Sequence, residues 1–87
     1  MKYAIGVDLG GTNIKFGLVE TTGELIYENI IPTEADKGAD IVTEHIISAV
    51  QEVQQYARKY NIVPVGIGIG TPGIVDRTNR IVLGGAD

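Results

Sequence analysis

The segment Val7-Asp8-Leu9-Gly10-Gly11-Thr12-Asn13 constrains this chain most, because it joins two strand-like runs through a corner too short for anything but an antiparallel reversal. Before it, residues 3–9 are nearly all apolar apart from one carboxylate, Asp8. After it, residues 13–20 alternate, with Ile14, Phe16 and Leu18 on one side. A hairpin of this kind uses the glycines for room and flexibility. It has no need of the aspartate.

The same logic extends along the chain. A Thr-Thr-Gly turn at 21–23 leads to a third strand, expected over residues 24–32, so the first three strands should form an antiparallel meander. Residues 32–40, PTEADKGAD, read as a polar connection. From about residue 39 to residue 60 the period becomes helical: Val42, Ile46, Ala49, Val53 and Ala57 recur at three- and four-residue spacing, with Glu44, Gln51, Glu52, Gln55 and Lys59 opposite. Asp36 and Asp40 near its start and Arg58 and Lys59 near its end suit the helix dipole. VPVGIGIG, residues 63–70, then reads as a fourth strand, apolar on both faces like a central parallel strand. A strand-helix-strand passage gives a right-handed crossover, and the sheet becomes mixed. Beyond it come a Thr-Pro-Gly turn, a short strand around Ile74, an Arg-Thr-Asn-Arg turn and a strand at 81–83.

Size and charge set limits on function. With 87 residues there is room for one small domain and not for a deep two-domain cleft. The chain lacks cysteine, which excludes disulfides and thiolate metal sites within it and suits a reducing, cytoplasmic setting. No run is long and apolar enough to be a signal peptide or a membrane span. The net charge of −4, with seven scattered Lys and Arg residues, argues against non-specific nucleic-acid binding. An anionic ligand would have to be met locally, by backbone amides and a metal ion.

Asp8, Gly10, Gly11 and Thr12 offer that local chemistry. Glycines permit positive φ and close backbone approach, so successive amide hydrogens can converge on phosphate oxygens, and the Thr hydroxyl adds a donor. A carboxylate beside such a nest repels phosphate unless a cation lies between them. Asp8 therefore points to magnesium, held through its water shell. The same residues also make an ordinary hairpin with an aspartate bonded to turn amides, and spacing does not separate the two. Lys15 is either a phosphate contact or a solvated strand lysine.

Residues 68–73, GIGTPG, satisfy the Gly-x-Gly-x-x-Gly dinucleotide pattern in letter only. That fingerprint must open a helix, and Pro72-Gly73 followed by Ile74-Val75-Asp76 reads as turn and strand. A loop at the carboxyl end of a parallel strand is nevertheless where open α/β sheets receive ligands, so a small substrate could press on Gly73; a tight turn is the plainer reading. His45 lacks a helical ligand partner and reads as a surface or boundary residue, and Asp76 and Asp87 as solvated or capping groups.

Taken together, IGVDLGGTNIKFGLV and GIGIGTPGIVD resemble the first phosphate motif and the sugar-side Gly-x-Pro-Gly turn of the ROK family of sugar kinases, in the family's order and spacing. The resemblance spans essentially the whole chain. It implies an α/β chain of the actin-like ATPase (ribonuclease H-like) fold, with residues 1–87 forming the amino-terminal part of the first lobe: a meander, a crossover helix and a parallel strand in a mixed sheet. It implies ATP and magnesium as cofactors, with Asp8 near the magnesium-nucleotide complex through water. Gly10, Gly11, Thr12 and Asn13 would lie along the phosphates, with Lys15 beside them. Gly73 would face the sugar, and Gly85 and Ala86 match a loop that touches sugar hydroxyls.

By the same resemblance, the general-base aspartate of an Asn-Asp pair, the second phosphate loop, the adenosine pocket and the zinc motif lie downstream, so structural zinc would find no ligands here. The 87 residues alone are expected to be inactive. The expected activity of the full-length protein is transfer of the ATP γ-phosphoryl group to a sugar 6-hydroxyl, glucose first. N-acetylmannosamine, fructose, mannose and allose kinases of the family are the nearest alternatives, then a non-catalytic actin-like nucleotide-binding module. A transcriptional regulator of the family would carry a helix-turn-helix ahead of the phosphate motif, and Met1 stands only a few residues before Asp8. A homodimer is implied by the resemblance only.

Overall fold

The computed structural model describes residues 2–70. Three strands follow one another as the meander requires, β1 (Tyr3–Leu9), β2 (Asn13–Glu20) and β3 (Leu25–Pro32). A 3-10 turn at Ala35–Lys37 leads into helix α1 (Ala39–Lys59), and the chain returns as β4 (Ile67–Gly70). The sheet order is β3-β2-β1-β4, with β4 parallel to β1 and the other pairs antiparallel. The expected strands at Ile74 and 81–83, together with Gly73, Asp76, Gly85, Ala86 and Asp87, lie outside the described residues.

Register puts the apolar residues on one face. Ile5 pairs with Leu18 and Val7 with Phe16 across β1 and β2, so these four and Ile14 point together toward α1. The helix answers with Ala49, Val53 and Ala57, all buried, its small residues letting it lie close to the sheet. Each fully buried Ile, Leu or Phe side chain here contributes about 1.5–3 kcal/mol. Tyr27 of β3 stacks on Tyr56 of α1, with ring centroids 4.3 Å apart. Its hydroxyl donates to Glu52, which also accepts from Asn29 Nδ2 at 2.6 Å. That bond to a carboxylate raises the Tyr27 phenol pKa above its ordinary value.

Helix α1 ends for a local reason. Asn61 takes the left-handed conformation at φ 60°, the Ile62 N–H reaches back to the Ala57 carbonyl at 2.8 Å, and the Asn61 N–H reaches the Arg58 carbonyl at 3.2 Å. Half-buried Ile62 then packs against the core. Pro64 follows and cannot continue a helix.

Two expectations need correction. The fourth strand is half as long as its apolar pattern implied, because Pro64 has no N–H for a ladder and Val63 stands 84% exposed. It is also not covered on both faces by the described residues. Ile67 and Ile69 share the face of Ile5 and Val7, yet α1 packs only on β1, β2 and β3, and both isoleucines stay exposed. Among the described residues no helix is long and apolar enough to cross a membrane.

Gly17 has a backbone reason in this sheet. A Cβ there would overlap the Tyr27 carbonyl oxygen, at the place where the β2–β3 register shifts between Leu18 and Val19.

Candidate functional site

The face away from α1 is different in kind. In-register neighbours Gly6, Gly17 and Gly68 form a row without side chains, and in the next row Asp8 sits between Lys15 on β2 and Gly70 on β4. Asp8 itself is half-buried, and its Oδ1 is fully buried with no hydrogen-bond partner among the described residues. A carboxylate oxygen withdrawn from water and unbonded costs on the order of 1–3 kcal/mol or more unless a cation or water serves it. Lys15, although opposite in register, is exposed and makes no ion pair with Asp8 among the described residues.

The adjoining corner, residues 10–13, is held from two directions. The Gly10 N–H donates to the Asn13 carbonyl at 3.0 Å. From the end of β3, the Thr33 hydroxyl donates to the Gly10 carbonyl at 2.7 Å and the Thr33 N–H donates to the Thr12 carbonyl at 2.9 Å. Thr33 is only 1% exposed, the most enclosed polar residue described. The sequence reading missed it, since nothing in PTEADKGAD singles it out. Only the register reveals it: Asn13 is aligned with Pro32, so the residue just after β3 comes opposite Thr12.

The glycines behave differently from the expectation. Neither Gly10 nor Gly11 has a positive φ; among the described glycines that belongs to Gly23 and Gly38. Gly10 is required by close approach, since a Cβ would stand 2.8 Å from the Asn13 carbonyl oxygen. Its N–H is already bonded within the turn, so it shapes the corner instead of donating outward. A Cβ on Gly11 would meet no described atom within 4 Å beyond its chain neighbours. The N–H groups of Gly11 and Thr12 find no acceptor among the described residues, and Gly11, Thr12 and Asn13 are all exposed. A buried carboxylate oxygen and unbonded amides a few residues further along can receive a cation and an anion.

Among the described residues there is no group of three or more potential metal-ligating side chains. A lone carboxylate suits magnesium, which keeps most of its waters and takes further ligands from phosphate. The donor set fits that ion and does not fit zinc.

The ROK family model matches residues 4–85 of this sequence. The chain belongs to the ROK family. A glucokinase of Halalkalibacterium halodurans is 33% identical over 75 residues, 86% of this chain and 23% of that protein. A protein named xylose repressor from a Caldicellulosiruptor species is 32% identical over 79 residues, 91% of this chain and 20% of its own length. Among solved structures, a ROK family glucokinase of Streptomyces griseus in complex with glucose and AMPPNP superposes with a TM-score of 0.66 at 30% identity, covering 85% of this chain and 22% of that one. The ROK chain described here thus carries part of the actin-like ATPase fold, and spans about a quarter of the length of the relatives it matches.

His45 is not a free surface group. Its Nε2 lies 2.8 Å from Glu34 Oε1, while Lys37 Nζ meets Glu34 Oε2 at 2.9 Å. This cluster ties down the residue after Thr33.

Proposed function

We propose that this ROK chain is the amino-terminal part of the first lobe of an ATP-dependent hexose kinase, glucokinase-like, and that it supplies one side of the nucleotide site. The observation that carries the reading is the buried Oδ1 of Asp8, without a partner among the described residues, followed in the chain by the Gly11, Thr12 and Asn13 amides, which also find no acceptor among them. Asp8 would hold magnesium through water, and the N–H groups of Gly11, Thr12 and Asn13, with the Thr12 hydroxyl, would bind phosphate oxygens. Gly10 would keep the corner tight enough for them, with Lys15 at its edge. When bound, the metal supplies neutralisation of phosphate charge.

In the reaction, the sugar 6-hydroxyl oxygen forms a bond to the γ-phosphorus as the bond from that phosphorus to the β,γ-bridging oxygen breaks, and ADP leaves. The hydroxyl proton goes to a carboxylate that another part of the polypeptide would provide. Gly73, Gly85 and Ala86 belong to the sugar side of this proposal. A soluble, cytoplasmic homodimer is the setting it implies.

The test is Asp8→Ala in the full-length protein, assayed with saturating glucose and magnesium-ATP. The expected result is a fall in kcat of about 10²–10³-fold, the scale on which a preorganised charge contact acts in the transition state. An unchanged kcat would refute the assigned role. A sugar-responsive repressor is the second reading, favoured by the Caldicellulosiruptor relative; it predicts sugar-dependent DNA binding by the full-length protein and no phosphorylated sugar.

A further inference from the structure

The peptide unit is planar and trans, so its N–H and C=O point in opposite directions. Fixing a carbonyl therefore fixes the amide hydrogen of the next residue. In the corner, two carbonyls are fixed by one residue: the Gly10 carbonyl by the Thr33 hydroxyl at 2.7 Å, and the Thr12 carbonyl by the Thr33 N–H at 2.9 Å. The amide hydrogens that follow, on Gly11 and Asn13, are thereby turned away from Thr33. A two-residue hairpin would ordinarily close with the Asn13 N–H donating to the Gly10 carbonyl. That bond is absent among the described residues, although its counterpart from the Gly10 N–H to the Asn13 carbonyl is made at 3.0 Å.

We infer that Thr33 is a positioning residue for nucleotide binding: by holding the Gly10 and Thr12 carbonyls, it keeps the hairpin open and aims the Gly11 and Asn13 amides at a phosphate group. The inference rests on the proposed nucleotide role of the corner. Thr33 touches no substrate. Its enclosure matters to the role, because a hydroxyl shielded from water exchanges partners less readily than an exposed one. Preset donors need no reordering when the anion arrives, which is what makes such a nest bind tightly.

The experiment compares Thr33→Val, which keeps the shape and the N–H but removes the hydroxyl, with Thr33→Ser, which keeps the hydroxyl. Both are made in the full-length protein and titrated calorimetrically with AMPPNP plus magnesium. Thr33→Val is expected to weaken binding about tenfold and to raise KM for ATP equally, with KM for glucose unchanged, and Thr33→Ser to restore both nucleotide values. Wild-type binding by Thr33→Val overturns the inference alone. A rise in both KM values without rescue by serine marks a merely structural role and also overturns it. Wild-type protein that binds no nucleotide overturns the functional reading and the inference with it. If Thr33→Val does not fold, the Gly11 and Asn13 amide resonances of the wild type decide: they should shift on addition of AMPPNP and magnesium, and their failure to move overturns the inference.

Discussion

The two hairpins of the meander share strand β2 and differ in how they treat their own polar groups. The second, at residues 20–24, closes on itself: the Glu20 N–H donates to the Glu24 carbonyl at 2.8 Å and the Gly23 N–H to the Glu20 carbonyl at 2.7 Å. Gly23 reaches φ 108° to do so. The first, at residues 10–13, hands two carbonyls to Thr33 and leaves the Gly11, Thr12 and Asn13 amides without acceptors among the described residues, with no glycine at positive φ. The second turn is closed by bonds within residues 20–24 and by the Thr21 N–H to the Lys2 carbonyl at 2.9 Å, although its Thr22 and Glu24 N–H groups also find no acceptor among the described residues. What sets the first apart is that Thr33 holds two of its carbonyls and that it follows Asp8, whose Oδ1 is buried without a partner among the described residues, and it is the turn proposed for phosphate.

The sharpest way to break this contrast is to fill the first turn. Gly10→Ala places a methyl 2.8 Å from the Asn13 carbonyl oxygen, against backbone that has little room to retreat. In the full-length protein it should cost about 1–3 kcal/mol in denaturant unfolding and also weaken nucleotide binding. Gly11→Ala is the companion measurement. With nothing within 4 Å and no positive φ, it should leave stability within about 0.5 kcal/mol. Equal stability losses at the two positions would remove the reason given for Gly10.

The second turn should respond in the opposite sense. Gly23→Ala meets no atom, yet φ 108° is strained for any residue with a Cβ, so a loss of about 1–2 kcal/mol is expected with nucleotide affinity unchanged. A nucleotide effect there would mean that the two hairpins are not separable.

Much of this was legible in the sequence, and the failures have physical causes. The meander and α1 follow from periodicity and turn length, which are local signals. Asp8 stood out because a charge inside an apolar strand lacks a local explanation. β4 was drawn too long because apolar alternation at 63–66 looks like a strand whether or not Pro64 can join a ladder. The uncovered Ile67 and Ile69 were unreadable for another reason: what packs on a strand is decided elsewhere in the chain. Thr33 was invisible because its bonding partner lies 23 residues away, and only register brings the two together. Of the two properties expected of the corner glycines, close approach applies at Gly10 and positive φ does not, the latter being what Gly23 needs.

The smallest effect tests whether the first turn has a support that the second lacks. Glu34 follows Thr33, sits at φ 57° in the left-handed region, and is tied to Lys37 and His45. Lys37 chiefly, and His45 next, hold its carboxyl pKa below the ordinary value of 4.5. A depressed folded-state pKa stabilises the fold above the unfolded value, and that contribution disappears as pH falls from about 4.5 through the folded value. Both partners are substantially solvated, so the effect is small and screened by salt. Its location is the useful part. Amide exchange protection at Thr33 should drop over that acid range more than protection at Gly23, and Glu34→Gln should flatten the difference. Equal acid loosening of both amides would mean that the Glu34 cluster acts on the whole sheet, and that the support assigned to the first hairpin is not specific to it.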